Sequence, residues 1–252
     1  MPAEISIMEF QRVRDAVAPT GLMVRGGFHP TAADQVPGNP ATLVLVGNAG
    51  PAMWRAFAAA TTPDARQGDP DPLDTWTRLI LDGVADGLGV VALYPFTTPY
   101  LPFQRWALGT GAVFPSPIGP LIDPEYGLWH AYRGALAFDG RLELPATPGR
   151  RRPCDNCADK PCLAACPADA FGGEGEGAGD GMEEGAAAGM APFDVSACVA
   201  HVASAAGKAC LEDGCLARRA CPIGREHVYR PRQARFHMER FLKAQGARGV
   251  DA

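Results

Sequence analysis

The stretch Cys154–Pro167 reads CDNCADKPCLAACP. Its four cysteines stand in the order C-x2-C-x4-C-x3-C, and the last is followed directly by Pro167. A looser group comes after it. Cys198, Cys210, Cys215 and Cys221 run C-x11-C-x4-C-x5-C, and this run also closes on Cys-Pro, at Cys221-Pro222. The chain has 8 cysteines in 252 residues, and none precedes Cys154. Thiols confined to one part of a chain have a local purpose. Disulfides are rare in a reducing compartment, so metal is the favoured reading. Zinc prefers two short Cys pairs around a longer spacer, and no second C-x2-C pair exists here. Zinc and a disulfide framework stay open, but both fit the spacing less well than iron–sulfur.

Outward from the cysteines, the composition is that of an ordinary globular chain. At about 150 residues per domain the length suggests one to two domains. A hydrophobic fraction of 47% is enough for a sizeable core. The net charge of -5 argues against a general nucleic-acid partner. No apolar run reaches the roughly 18 residues a membrane-crossing helix needs. The first residues, MPAEISIMEFQRVRDAV, hold no basic segment followed by an apolar one. The expectation is a soluble, cytoplasmic protein with neither a nucleic-acid nor a membrane partner.

The chain reads as two modules, 1–149 and 150–252, the second holding all the cysteines. In the first, Glu4–Ala18 spaces Ile5, Met8, Val13 and Val17 as a helix does, with Gly21 as a stop. Leu22–Phe28 and Thr42–Val46 read as strands, the second apolar enough to be central. Pro51–Ala60 predicts a helix with Pro at its first turn. Asp71 is placed to cap a helix over Leu73–Leu88, with Trp76, Leu79, Ile80 and Val84 on its buried side. VVALYP predicts a short buried strand, Phe103–Leu108 a helix and Tyr132–Phe138 a last strand. The fold class is α/β (α+β), with a mixed sheet in the first module. Between these elements seven prolines, from Pro95 to Pro124, mark rigid loops of the kind that line sites. Residues 172–191, GGEGEGAGDGMEEGAAAGMA, have nothing to bury and predict a disordered acidic insert.

The first cysteine run resembles the bacterial ferredoxin run C-x2-C-x2-C-x3-C-P, with two extra residues in the middle. The whole second module is similar to a two-cluster ferredoxin domain of the kind attached to epoxyqueuosine reductase. The stretch Ala107–Phe138, ALGTGAVFPSPIGPLIDPEYGLWHAYRGALAF, resembles the same family through Gly109, Gly111, Leu121, Ile122, Pro124, Gly127 and Trp129. With NPATLVLVGNAGPAMWRAF before it, it also resembles the cobalamin-processing proteins that decyanate or dealkylate vitamin B12. The resemblance implies a nitroreductase-like α/β module followed by a small ferredoxin-like module. It implies two [4Fe-4S] clusters, with cobalamin or flavin as a further candidate cofactor.

In two-cluster ferredoxins the fourth cysteine of each run serves the other cluster. Carried onto this chain, Cys154, Cys157, Cys162 and Cys221 would hold one cluster, and Cys166, Cys198, Cys210 and Cys215 the other. The loop Tyr94–Phe103 holds no carboxylate where epoxyqueuosine reductase places its general acid, and Ser116-Pro-Ile-Gly119 replaces that family's G-K-N turn. The expected function is therefore electron transfer to a partner or to a ligand on the first module. The alternative is a corrinoid- or flavin-using reductase.

Candidate ligand-lining residues are Tyr94, Trp106, Tyr126, Trp129, His130 and Arg133, with core packing of the aromatics as the competing reading. The five histidines form no H-x3-H pair. The C-terminal helix expected at Arg232–Gln245 carries Arg232, Arg235, Arg240 and Lys243. It is either a solvated helix packed on the first module through Phe236, Met238, Phe241 and Leu242, or a docking face for a redox partner protein.

Overall fold

The computed structural model describes residues 2–147, 149–171 and 190–248. The chain divides into two units. One comprises Met1–Val113 and His130–Arg150, the other Phe114–Trp129 and Arg151–Ala252. The second unit thus takes in sixteen residues from the proline-rich stretch that sequence pattern alone groups with the first module.

The first unit runs α1 (Pro2–Val17), β1 (Met23–Phe28), β2 (Thr42–Ala49), α2 (Ala52–Ala60), α3 (Pro63–Gly68), α4 (Pro72–Leu88), β3 (Val91–Leu93), α5 (Phe103–Gly109) and β4 (His130–Phe138). An apolar run such as TLVLVGNA favours a strand covered on both faces. β2 is buried along nearly its whole length and sits inside the sheet, whose order is β1-β2-β4-β3. All three pairings are antiparallel, with Thr42 opposite Phe138 and Ala49 opposite His130 across β2 and β4. The mixed sheet expected from sequence is corrected to an antiparallel one. Strand periodicity is the same for either direction, so the pattern does not reveal the sense of pairing.

Three local readings are corrected as well. α4 buries Leu73, Trp76, Thr77, Leu81 and Ala85, while Leu79 is 75% exposed. The buried stripe is turned toward a polar residue, Thr77, whose hydroxyl satisfies itself on the Leu73 carbonyl at 2.7 Å. Such back-bonding hides a hydroxyl in a core, and hydropathy does not register it. Asp71 stands at the start of α4 without a side-chain cap; its carbonyl accepts the N–H groups of Asp74 and Thr75. β3 is an edge strand, with Val91 61% exposed, and not a buried one.

The second unit is mostly short helices: α6 (Pro161–Ala164), α7 (Val195–Ala203), α8 (Lys208–Asp213), α9 (Leu216–Ala220) and α10 (Pro231–Arg248). Its core joins Ile118, Ile122 and Leu128 from the Phe114–Trp129 segment to Cys162, Phe171, Ala217 and Cys221. That apolar contact is why the segment belongs here. α10 packs on α8 and α7 of its own unit, with Gln233 and Ala234 buried. The proposed insert lies, from 172 to 189, outside the described residues. The residues on either side of it are clasped. Asp194 N–H donates to the Ala170 carbonyl at 2.9 Å, Ala191 N–H to Pro117 at 2.8 Å, and the Phe171 and Phe193 rings stack with centroids 5.0 Å apart.

Two outcomes follow from this packing. Leu81→Ala should destabilise by about 2–5 kcal/mol, and Leu79→Ala by no more than about 0.5 kcal/mol, in urea unfolding. Equal effects would contradict the observed face of α4. Deleting Gly173–Gly189 should leave the melting temperature within a few degrees of the parent, because the clasp does not use those residues and loop closure depends only weakly on length. A drop large enough to unfold the second unit would show that they support it.

Candidate metal centre

All eight cysteines are free thiols. They lie around two separate cavities of the second unit. One is lined by Cys154, Cys157, Cys162 and Cys221, with Pro117, Ile122 and Lys160, and measures about 20 Å³. The other is lined by Cys166, Cys198, Cys210 and Cys215, with Phe171, Phe193, Val202, Met238 and Phe241, and measures about 150 Å³. The last cysteine of each run has changed sides: Cys166 faces the later group, and Cys221 faces the earlier one.

Local chain geometry produces the exchange. A 3-10 turn over Pro153–Asn156 presents Cys154, and its end turns out Cys157. Lys160 adopts a left-handed conformation before α6, which brings Cys162 back toward them. Cys221 ends α9, and Pro222-Ile223-Gly224 then runs against Tyr126-Gly127 backbone to backbone. A Cβ on Gly127 would stand 2.0 Å from the Ile223 carbonyl oxygen, and one on Gly224 would stand 2.3 Å from the Tyr126 carbonyl carbon. Both glycines have positive φ, 58° and 70°. Only glycine permits that approach and that conformation together. Arg218 secures the same junction. Its Nε donates to the Leu128 carbonyl at 2.7 Å, and its guanidinium lies 4.6 Å from the Trp129 ring centroid and 4.8 Å from that of Tyr229. Sequence reasoning did not single out Arg218 or Gly224; neither is a cysteine ligand, and neither carries a local motif.

The thiols within each group sense one another. Burial pushes the Cys162 thiol up, and Cys221, Cys154 and Cys157 add to the rise. Burial also raises Cys154, against the lowering effect of Arg152, with Cys221 and Cys157 adding. In the other group burial pushes Cys198 up to about 12, with Cys215, Cys166 and Cys210 adding. Burial likewise raises Cys210, Cys215 and Cys221, each opposed by backbone N–H donors: Leu216 on Cys210, Arg218 and Ala217 on Cys215, and Ile223 on Cys221. Ala170 N–H reaches the Cys166 sulfur at 3.4 Å. Among the described residues no group of three or more His, Cys, Asp or Glu side chains is placed to hold a metal ion.

The six candidate ligand-lining residues do not share a unit. Tyr94, Trp106, His130 and Arg133 belong to the first, Tyr126 and Trp129 to the second. Tyr94 is buried, donates to Asp82 at 2.5 Å and stacks on Phe96. Trp106 is fully buried and donates to the Asp34 carbonyl at 2.8 Å. Arg133 is paired with Asp74 and donates to Thr77. His130 meets Tyr132 edge-on, Tyr126 meets His227, and Trp129 meets Tyr229. A groove of about 840 Å³ in the first unit is lined by other residues, among them Phe28, His29, Thr110 and Arg141. On α10, Arg235 is paired with Glu239 and Glu212, and Arg240 lies over Phe236. No described helix is long and apolar enough to cross a membrane. No protein-family model matches the chain, and no curated protein matches it.

The raised thiols set the alkaline behaviour of the metal-free chain. A raised folded-state value means that the folded thiol keeps its proton where the unfolded one has lost it. Stability is then fully present below the ordinary thiol value of 9.0 and lost as pH rises toward about 12, the value for Cys198. Denaturant midpoints of metal-free protein should fall between pH 8 and pH 11. A flat or rising profile would contradict burial of these thiols.

Proposed function

We propose that the protein is an iron–sulfur electron-transfer protein that binds two [4Fe-4S] clusters, one at each cysteine quartet. The observation that carries this reading is the partition of eight thiols into two groups of four around two cavities, with the cysteine of each Cys-Pro exchanged between runs. An all-thiolate donor set suits iron–sulfur, and the exchange matches the ferredoxin pattern. The larger cavity is lined by apolar side chains and thiols. The smaller one, at about 20 Å³, leaves less room for a cube. The resemblance to epoxyqueuosine reductase and the cobalamin-processing proteins supports the same reading, and with it a nitroreductase-like first unit and a ferredoxin-like second one.

When bound, such a cluster supplies one-electron chemistry. The chain's own groups would do the rest. Four cysteines at each site hold the charge. The N–H groups of Ala170, Leu216, Ala217, Arg218 and Ile223 point at sulfur and favour its anionic form. Phe171, Phe193, Val202, Met238 and Phe241 keep water from the Cys198 side. Uptake of metal must displace protons from the raised thiols, so it should tighten as pH rises.

Anaerobically reconstituted protein should hold about eight irons and eight acid-labile sulfides per chain, with broad absorption in the visible region. Stoichiometric zinc without sulfide would end the proposal. The ligand sets have their own test. In electron paramagnetic resonance of the reduced protein, Cys221→Ala should perturb the same signal as Cys157→Ala, and Cys166→Ala should perturb the other. If Cys166→Ala and Cys157→Ala remove one signal together, each run builds its own cluster.

A further inference from the structure

From Ala217 onward the sequence carries nine Arg and Lys residues against three acids, in a chain whose net charge is -5. Several of these cations are engaged inside the second unit. Arg218 donates to the Leu128 carbonyl and lies over two rings, and Arg219 donates to the Asp213 carbonyl at 3.1 Å. Arg235 is paired with Glu239 and Glu212, and Arg240 lies over Phe236. Arg225, Arg230 and Arg232 are different. All three are exposed, and among the described residues none of them meets a carboxylate. The acid beside Arg225, Glu226, faces His227 at 3.6 Å instead. The three arginines fall within eight residues that join the turn after Cys221 to α10. α10 has no acidic residue in its first turn. Arg230 and Arg232 therefore stand at the positive end of the helix dipole, where a cation is disfavoured and a carboxylate would stabilise. Helix stability does not account for that placement. The arginines add to a positive potential that the helix end already has.

We propose that Arg225, Arg230 and Arg232 form a docking surface for the acidic face of a partner protein. Charge complementarity selects the occupant. Guanidinium groups suit carboxylates, which they can meet with two parallel hydrogen bonds. A long polyanion such as RNA tracks many phosphates, and outside this short stretch it would meet a chain that is acidic as a whole. The acidic patch of a protein needs only the stretch itself. The inference rests on the electron-transfer reading above for what the partner is, a small electron-carrier protein. It moves the contact from the face of α10, where Arg235 is already neutralised by two carboxylates, to the turn that precedes the helix.

The test is calorimetric titration of the full chain, both metal-free and reconstituted, with an acidic plant-type [2Fe-2S] ferredoxin as the probe. At about 10 mM salt, where charges act over about 30 Å, the parent should bind, and the affinity should fall about tenfold or more by about 0.15 M. The triple variant Arg225→Gln, Arg230→Gln, Arg232→Gln should lose about tenfold or more in affinity at the lower salt, and the corresponding triple Lys variant should stay within about threefold of the parent. A matched control, Arg12→Gln, Arg14→Gln, Arg55→Gln, makes the same change in net charge on exposed residues of the first unit and should also stay within about threefold. Equal losses in the two Gln triples show a general charge effect and overturn the inference. So does tighter binding of a single-stranded RNA of about 20 nucleotides, lost in the first triple, which would make the stretch a nucleic-acid site. Binding by a chain that takes up neither iron nor sulfide keeps the docking surface and overturns the two-cluster reading. A chain that holds about eight irons and does not bind at the lower salt leaves that reading standing and overturns the docking surface.

Discussion

The turn after Cys221 can lie flat on the Tyr126-Gly127 backbone only because both chains are stripped to glycine at the point of contact. This close approach governs the second unit. It fixes where α9 ends, and so it aims Cys221 away from Cys215, six residues earlier in the chain, and toward Cys154. It also draws the segment Phe114–Trp129 into the unit, where Ile118, Ile122 and Leu128 complete a core that the short helices could not close by themselves. Arg218 adds a charged clamp over Trp129 and Tyr229. A stacked guanidinium that also donates to a backbone carbonyl is held by geometry as well as by charge, and Lys could not replace it.

Much of this could be read from residues alone. The partition of the thiols was legible through the likeness to two-cluster ferredoxins, in which the fourth cysteine of each run serves the other cluster. The first unit's strands, and its helices other than α3, were legible from hydrophobic period and stop residues, as at Gly89 after α4. What escaped was everything decided by partners distant in sequence. Strand direction has no periodic signature. The buried face of α4 was misphased because Thr77 hides its hydroxyl on its own helix. Val91 looks like a core residue until the sheet order puts β3 at the edge.

The same limit explains the assignment of Phe114–Trp129. Between Val113 and His130 the chain holds two isolated bridges, Phe114 with Ile122 and Asp123 with Gly127, and no helix. Asp123 organises its turn by accepting from the N–H groups of Glu125 and Tyr126 at 2.8 and 3.1 Å. A turn held by its own carboxylate can be presented to any neighbour, so nothing in its sequence says which unit it will join. Its apolar residues and its glycine settle that only once the partner surface exists. The six candidates, aromatic residues with His130 and Arg133, suit a flat-ligand pocket by residue type. The structure gives each a partner within its own unit, and core packing accounts for Tyr94 and Trp106 as they stand.

The quartets carry a physical tension that bears on why the unit folds as it does. Four thiols turned toward one another bring only weak S–H donors to the centre, and ionising any of them worsens the position of the others. Without a cation, the favourable state is protonated, and the cavities are merely weakly filled parts of an apolar core. Backbone N–H groups nevertheless point at Cys166, Cys210, Cys215 and Cys221, an arrangement that favours thiolate. A protein selected only for a packed core would have no reason to aim donors at sulfur while surrounding that sulfur with more sulfur. In the proposed reading the two features agree, because the thiols are ionised together around positive charge at the centre of each group. In the proposed reading, metal therefore does more than occupy the sites: it resolves the conflict between burial and donor placement, and it ties residues 154 through 221 into one unit by ligands exchanged across the chain.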